Sequence, residues 1–592
     1  MRRHVPHTAA LAGAVIALAG CTGGMELDPM PTSDPPPPRA IATVEAPPED
    51  PALVASQDPA ELALRTSETY FASAQTVILA PVDDPAATAR AASIAVAAGA
   101  PVLLTGDPGG GAALEAELIR LSTGSVVTVG AVSLEEFDDT GLTIAPAPQD
   151  VDELGELLEL DLQALPGPDQ DSEDPDETDT ADGAESDEDA DADEGDESGD
   201  GESGDDGATD EGAADPGYVQ MLADLEPGQV LDVEPADSET PDAEGELRQT
   251  LPTERLSDQT LIADGHPAQA GAVGTARAAG AQVVVGSDLA GSPELIDQLE
   301  GAQNIIGLGE ELGDEDTFAW QALTAATGVQ LPGGGQHVFG DKRYIALYGH
   351  PRTPAMGVLG EQGTEETIEV AEDYAEPYRD LTDEQVVPAL EIIVTVATGA
   401  EGEEGNYTQA WPAETFEPLI EAAQEAGQYV VLDFQPGRQH FLDQIRQYED
   451  LLAYPHVGVA LDPEWRLGPD QQHLNQIGQV DAEEINEVSA YLADFVVEHN
   501  LPQKMLVLHQ FQQRMILDRE DVNTSRPQVP ILIHADGQGS QSAKQDTWDN
   551  VRQDAPEAAR WGWKNFIDED TPMLTPEETY EVEPLPEFVS YQ

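Results

Sequence analysis

The chain has 592 residues and a formal net charge of −93 at pH 7, with 117 acidic side chains against 24 lysines and arginines. A surface of that sign repels nucleic acid and anionic lipid heads, which excludes a DNA- or RNA-binding role. The 40% hydrophobic fraction can build cores, and a chain of this length allows about three or four domains. Only four lysines occur, Lys342, Lys504, Lys544 and Lys564, a bias that suits a saline habitat or a solubility device.

The first element is a leader. Arg2 and Arg3 precede an apolar run from Ala9 to Ala19, which ends in Leu18-Ala19-Gly20-Cys21. A positive start, a short apolar centre and small residues before a cleavage point make a secretory signal. The run falls short of the roughly 20 apolar residues that span a bilayer. The Leu-Ala-Gly-Cys ending resembles the lipobox of bacterial lipoproteins. That resemblance implies a signal peptide over 1–21, a diacylglycerol on Cys21, and a mature chain held on the extracytoplasmic face of the cell membrane. Cys21 is the single cysteine, so the mature chain has no disulfide.

Residues 22–60, with the run Pro35-Pro36-Pro37-Pro38, read as a semi-rigid disordered spacer. A second tract, 166–216, is dominated by acids such as Asp187-Glu188-Asp189. It has little to bury and repels itself, so it is expected to be disordered. Between the spacers, at 61–165, the strand Thr76–Ala80, a helix over Pro85–Ala98, the strand Gly99–Thr105, a helix over Ala112–Leu121 and the strand Val126–Gly130 alternate. Continuous apolar strands separated by helices predict a parallel sheet covered on both faces. The order recurs at 217–330 with strands Thr260–Ala263, Ala279–Val285 and Asn304–Gly309, an internal repeat.

Ala98-Gly99-Ala100-Pro101-Val102-Leu103-Leu104-Thr105 and Gly130-Ala131-Val132-Ser133, with Gly280-Ala281 and Gly307-Leu308-Gly309 in the second copy, resemble the cell-wall-binding repeat (type 2) of Gram-positive exported proteins. The resemblance implies attachment to a wall polymer. That family usually carries three tandem copies; two are found here, and they are themselves acidic. They can equally serve to pack on the C-terminal domain.

From 335 to 592 the strands Tyr344–Gly349, Glu391–Val396, Tyr429–Phe434, Val457–Asp462, Met505–His509, Ile531–His534, Gly562–Phe566 and Glu587–Tyr591 are separated by helices such as Trp411–Gly427 and Asp481–Asn500. Eight strands in some 250 residues predict a (β/α)8 barrel, with an open doubly wound sheet as the alternative. The fold class is therefore α/β: wall-repeat-like parallel modules, a (β/α)8-type barrel, and disordered acidic linkers.

Asp433, Asp462, Glu464, His509, Gln510, His534 and Asp536 fall at or just past the C-terminal ends of their strands, where such barrels place their active sites. Asp462 and Glu464, two apart on an extended segment, would point the same way and split their pKa values into a proton donor and an ionised partner. Glycoside hydrolysis requires that split. Trp465 and Trp411 could stack on sugar rings. The strand-four Asp-x-Glu is similar to the catalytic end of family-18 chitinases and family-25 lysozymes. This implies Glu464 as the acid and Asp462 as its supporting carboxylate, although Gly458 and Ala460 stand where chitinases carry further aspartates. The leading expectation is thus a glycosidase-like barrel, with Asp433, His509 and His534 also catalytic, Gln510 and Asp536 binding ligand, and no cofactor. One alternative is a metal-dependent hydrolase holding a divalent ion on His509, His534 and Asp433; these resemble the fifth- and sixth-strand histidines of amidohydrolase-type barrels. In that comparison the first-strand His-x-His is missing, with only His350 nearby. The other alternative is a barrel that binds without turnover.

Overall fold

The computed structural model describes residues 40–46, 51–106, 111–132, 141–168, 217–236, 247, 250–252, 255–402, 405–557 and 559–592. The leader with Cys21, the Pro35–Pro38 run, Ser133 and the acidic tract from 169 to 216 lie outside the described residues. No helix among the described residues is long and apolar enough to cross a membrane.

The two modules repeat one sheet order. In the first, Val102–Thr105, Thr76–Pro81, Ser125–Thr128 and Thr143–Pro146 lie side by side in that order, all parallel. In the second the order is Gln282–Val285, Thr260–Ala263, Ile305–Leu308 and Ala52–Val54, again all parallel. The fourth place of the second sheet is thus filled from the segment ahead of the first module. This corrects the reading of 22–60 as spacer throughout. Short apolar stretches sit between its proline-rich pieces, and a parallel sheet with an open edge accepts them. Ala40–Val44 is similarly placed, paired with Thr250–Pro252 and Phe71–Ala74.

The modules also share a core, so 61–165 and 217–330 are not separate bodies. Gln229–Asp232 pairs with Gln163–Pro166 across the acidic tract. The helices Pro85–Ala98 and Ala270–Ala279 supply small side chains to one continuous apolar cluster. At their contact a Cβ on Gly274 would lie 2.5 Å from the Ala92 Cβ, an approach only glycine permits. The first helix reads directly from its ends: Asp84 accepts the Ala87 N–H at 2.9 Å, Pro85 opens the first turn, and Gly99 closes it at φ 64°.

The C-terminal strands are β1 (Lys342–Gly349), β2 (Gln385–Ala397), β3 (Tyr429–Phe434), β4 (Val457–Leu461), β5 (Leu506–Gln510), β6 (Ile531–Ala535), β7 (Arg560–Asn565) and β8 (Phe588–Tyr591). Each pairs in parallel with the next, and β1 pairs with both β2 and β8, which closes the ring. The open-sheet alternative is thereby excluded. Side chains alternate across each strand. The lower interior is apolar, with Tyr344, Ala389, Val431, Ala460, Val507 and Phe588 in one cluster, and it forms a packed floor.

All four lysines are buried, so none contributes to the acidic surface. Lys504 is the extreme case. Its Nζ donates to the carbonyls of Tyr454 and Val457 at 2.9 Å each, and burial, with no opposing charge, lowers its pKa to about 7. The unfolded chain binds this proton up to the ordinary lysine value near 10.4. Between those two values the unfolded state therefore holds more protons, and Lys504 makes unfolding free energy rise with pH. Urea unfolding at pH 6, 8 and 9.5 is expected to show this rise in wild type relative to Lys504→Met. Parallel curves for the two proteins would refute it.

Candidate active site

The period-two alternation that builds the apolar floor also builds the polar layer above it. Two residues beyond Ala346 on β1 is Tyr348. The same step leads to Glu391 on β2, Asp433 on β3 and Asp462 just past β4. On β5 to β8 the corresponding residues are His509, His534, Lys564 and Ser590. Asp536 and Glu464 follow two residues past His534 and Asp462, nearer the mouth. Glu391, Asp433, His509 and His534 are fully or almost fully buried, while the Asp536 side chain is 15% exposed and Glu464 is partly exposed.

These groups form one network across the barrel. His509 Nε2 meets Glu391 Oε1 at 2.7 Å, and its Nδ1 meets Asp536 Oδ2 at 2.7 Å. The other Asp536 oxygen meets His534 Nδ1 at 2.6 Å, and His534 Nε2 lies 3.1 Å from Ser590 Oγ. Tyr348 donates its hydroxyl to Asp433 Oδ2 at 2.9 Å. The Lys564 ammonium stands 3.5 Å over the Tyr348 ring, a cation–π contact.

Burial and charge divide the layer in two. Burial would raise Glu391, but adjacent His509 outweighs it and keeps the carboxyl below its usual range. Burial likewise opposes Asp536, yet His509, Lys564 and His534 hold it well below. His509 works against its own burial and stays well above the usual histidine value because Asp536 and Glu391 flank it. His534 is lowered, since burial exceeds the pull of Asp536. On the other side, burial pushes Asp433 up to about 7, with His509 opposing and Glu391 adding. Burial, then Glu464 and Asp433, raise Asp462 well above the carboxylate range. Glu464 is raised by burial and by the charge of Asp536. The mouth thus has an ionised side, Glu391, Asp536 and His509, and a proton-holding side, Asp433, Asp462 and Glu464. The expected split of Asp462 and Glu464 into a proton donor and an ionised partner is not found within that pair: burial raises both, and the ionised carboxylates stand elsewhere in the layer.

Asp433, Asp462, Glu464, His509, His534 and Asp536 are therefore gathered at one end of the barrel. The local geometry at strand four differs from the expected extended segment. Pro463–Trp465 form one turn of 3₁₀ helix, whose first carbonyl accepts the Arg466 N–H, so Asp462 turns inward and Glu464 reaches the rim. Proline after Asp462 forces that turn, since it fixes φ and removes the donor a strand would need. Gln510 uses its amide to brace the loop after β5, donating to the carbonyls of Gln512 and Gln513 and accepting from Arg519 Nη1. Trp465 packs against His473, ring centroids 5.2 Å apart, and Trp411 against His350 at 4.8 Å.

Sequence reasoning missed Tyr348, Glu391, Lys564 and Ser590. Two of them had a signal: Glu391 is an acid inside a long apolar run, and Lys564 is one of four lysines. Gly562, on β7, makes room for the site. A Cβ there would sit 2.5 Å from His534 Cδ2. Gly562→Ala is expected to lower stability by about 1–3 kcal/mol, the usual cost of overpacking, and to shift the His534 imidazole resonances. Unchanged stability and resonances would show that the ring is not wedged.

No family model matches the chain, and no curated protein matches it. Among solved structures it is similar to the xylanase and alpha-amylase inhibitor protein XAIP-II from Scadoxus multiflorus, at 15% identity and a TM-score of 0.26, over 42% of this chain and 92% of that one. It is also similar to Cwp8 from Clostridium difficile, at 14% identity and a TM-score of 0.29, over 48% of this chain and 52% of Cwp8. A third likeness is to Cwp6 from Clostridium difficile, at 11% identity and a TM-score of 0.30, over 66% of this chain and 63% of Cwp6. The chain thus spans only about half to two thirds of the two Clostridium proteins. Similarity this low transfers no activity.

Proposed function

We propose that this is a cell-envelope protein, anchored outside the membrane through a lipid on Cys21, whose barrel hydrolyses glycosidic bonds in a wall or extracellular polysaccharide. The leader and lipobox-like residues support the location, and the paired modules support a role in positioning the barrel against wall polymer. The observation that carries the chemistry is Glu464. It stands partly exposed at the C-terminal mouth of the barrel, and burial together with the ionised Asp536 keeps its proton on above the usual glutamate range. A partly exposed carboxyl whose pKa is raised is the kind of proton donor that a glycosidic oxygen needs as it leaves.

In this reading Glu464 gives its proton to the leaving oxygen as the glycosidic C–O bond breaks, and Asp462, buried behind it, shares and stabilises the charge that Glu464 acquires; water adds its oxygen to the sugar carbon, and its released proton returns to Glu464. Tyr348 orients Asp433 by its hydrogen bond, and His509 is locked between Glu391 and Asp536. The closed ring supplies rigidity, so these groups keep their spacing without substrate. The test is reducing-sugar release from a panel of wall and environmental glycans, by wild type and by Glu464→Gln. Release by wild type alone is expected. Equal release by both proteins, or none from any glycan, overturns the reading.

A further inference from the structure

The polar layer is crowded with acid groups. Five carboxyls, Glu391, Asp433, Asp462, Glu464 and Asp536, stand beside one lysine and two histidines, and burial keeps three of the five, Asp433, Asp462 and Glu464, inclined to hold their protons. Buried charges are ordinarily paired or bound to metal. Two of the carboxylate oxygens are fully buried with no hydrogen-bond partner, Asp433 Oδ1 and Glu391 Oε2, although an ionised carboxylate can accept about four bonds. Asp433 Oδ1 is 4.0 Å from His509 Nε2. One donor atom from each of His509, His534 and Asp536 lies within 4.8 Å of the other two.

We propose that His509, His534 and Asp536 form a binding site for one divalent transition-metal ion, with Glu391 bracing His509 through its far ring nitrogen, Nε2. The two histidines occupy paired positions on neighbouring strands, His509 opposite His534, so their spacing is set by the sheet and not by a loop. Asp536 follows two residues later and is the member of the set exposed to the mouth, which leaves a coordination position facing substrate. Two imidazoles with carboxylate oxygens suit zinc, manganese or iron. Calcium and magnesium prefer oxygen donors throughout. The ion would take the place between the two Nδ1 atoms and Asp536, while Glu391 and Asp433 stand on the Nε2 side of the His509 ring. It would also place a Lewis acid across the mouth from Glu464, where it could hold a substrate oxygen. An ion on Asp536 would also offset the charge that helps to keep the proton on Glu464, so the test reads metal and not sugar, and its failure leaves the glycosidase reading standing.

A chain of net charge −93 collects cations everywhere on its surface, so the experiment must separate the barrel from the surface. Full-length protein is loaded with Co²⁺, washed with excess Mg²⁺, and examined for cobalt content and visible absorption. Wild type is expected to keep one equivalent, with the intense visible bands of a four- or five-coordinate ion. His534→Gln and Asp536→Asn are expected to bind cobalt at least about 100-fold more weakly. Loss of all cobalt in the wash, or equal retention in the variants, overturns the proposal. Should a variant fail to fold, proton NMR of wild type with Zn²⁺ decides: His509 and His534 imidazole signals that move support the site, and signals that stay fixed overturn it.

Discussion

His509→Ala is expected to lower the stability of the barrel by about 3–5 kcal/mol, the range found when one partner of a buried ion pair is removed. His509 is 1% exposed, and both ring nitrogens meet carboxylates at 2.7 Å. Truncation leaves Glu391 fully buried and without its cation, and opens a cavity beneath the mouth. The cost therefore exceeds what the contact itself contributes, because the remaining carboxyl must either stay charged without solvation or take up a proton that it does not hold in the folded wild type. The double variant His509→Ala with Glu391→Leu removes that stranded charge and is expected to be less destabilised than His509→Ala alone. The pH dependence follows from the two shifts. His509 is raised in the folded state, so its contribution is complete below the unfolded histidine value and fades as pH rises through the folded value. Glu391 is lowered, so its contribution is present above the unfolded carboxylate value and is lost as pH falls through the folded one. The effect of His509→Ala is thus greatest between the two, near pH 6. Urea unfolding with a chelator present measures it. A loss under about 1 kcal/mol, or a double variant no better than the single, would mean that water already solvates the pair.

The barrel was legible because its strands are long apolar runs bounded by helices, and because a parallel strand buried on both faces shows no alternation in hydropathy. The same fact hid half of the site. Reading the ends of strands finds Asp433, His509 and His534, which stand where the apolar run stops. Glu391 stands in the middle of its run, since β2 continues past the mouth to Ala397 and pairs with an antiparallel strand, Thr408–Ala410. Counting in twos from the apolar floor, once the closure of the ring is known, finds Glu391, Tyr348, Lys564 and Ser590 at once. Closure itself is a long-range property, because β1 meets β8 more than 240 residues away. The modules failed in a different way. Their strands and helices were readable, but the fourth strand of the second sheet, Ala52–Val54, is three residues in a proline-rich stretch. Its own propensity is weak, and the waiting edge of Ile305–Leu308 decides its structure. At strand four the chain departs from the extended conformation that places residues i and i+2 on one face, because Pro463 turns it into a 3₁₀ helix.

Glu464→Gln is expected to reduce glycan hydrolysis by about 100- to 10,000-fold, the usual worth of a positioned general acid, with KM little changed. Glutamine keeps the size and hydrogen-bonding atoms of the side chain but has no proton to give. The loss should therefore fall on kcat, as for an interaction realised only in the transition state. Asp462→Asn provides the contrast. Asp462 is buried behind the turn and touches no substrate in the proposed arrangement, so its loss weakens the acid without abolishing it, and a smaller defect is expected. The pH profile separates the roles. Wild type requires protonated Glu464, so its rate falls as pH rises through the raised glutamate value, which gives an alkaline limb. The residual rate of Glu464→Gln has no such group and should lack that limb, whereas Asp462→Asn should keep it. A substrate whose leaving group needs no proton, such as an aryl glycoside with a very acidic phenol, should also escape most of the Glu464→Gln defect. If the limb survives in Glu464→Gln, or the acidic phenol suffers equally, the proton comes from elsewhere in the layer, and Asp433, raised to about 7, is the group to replace next.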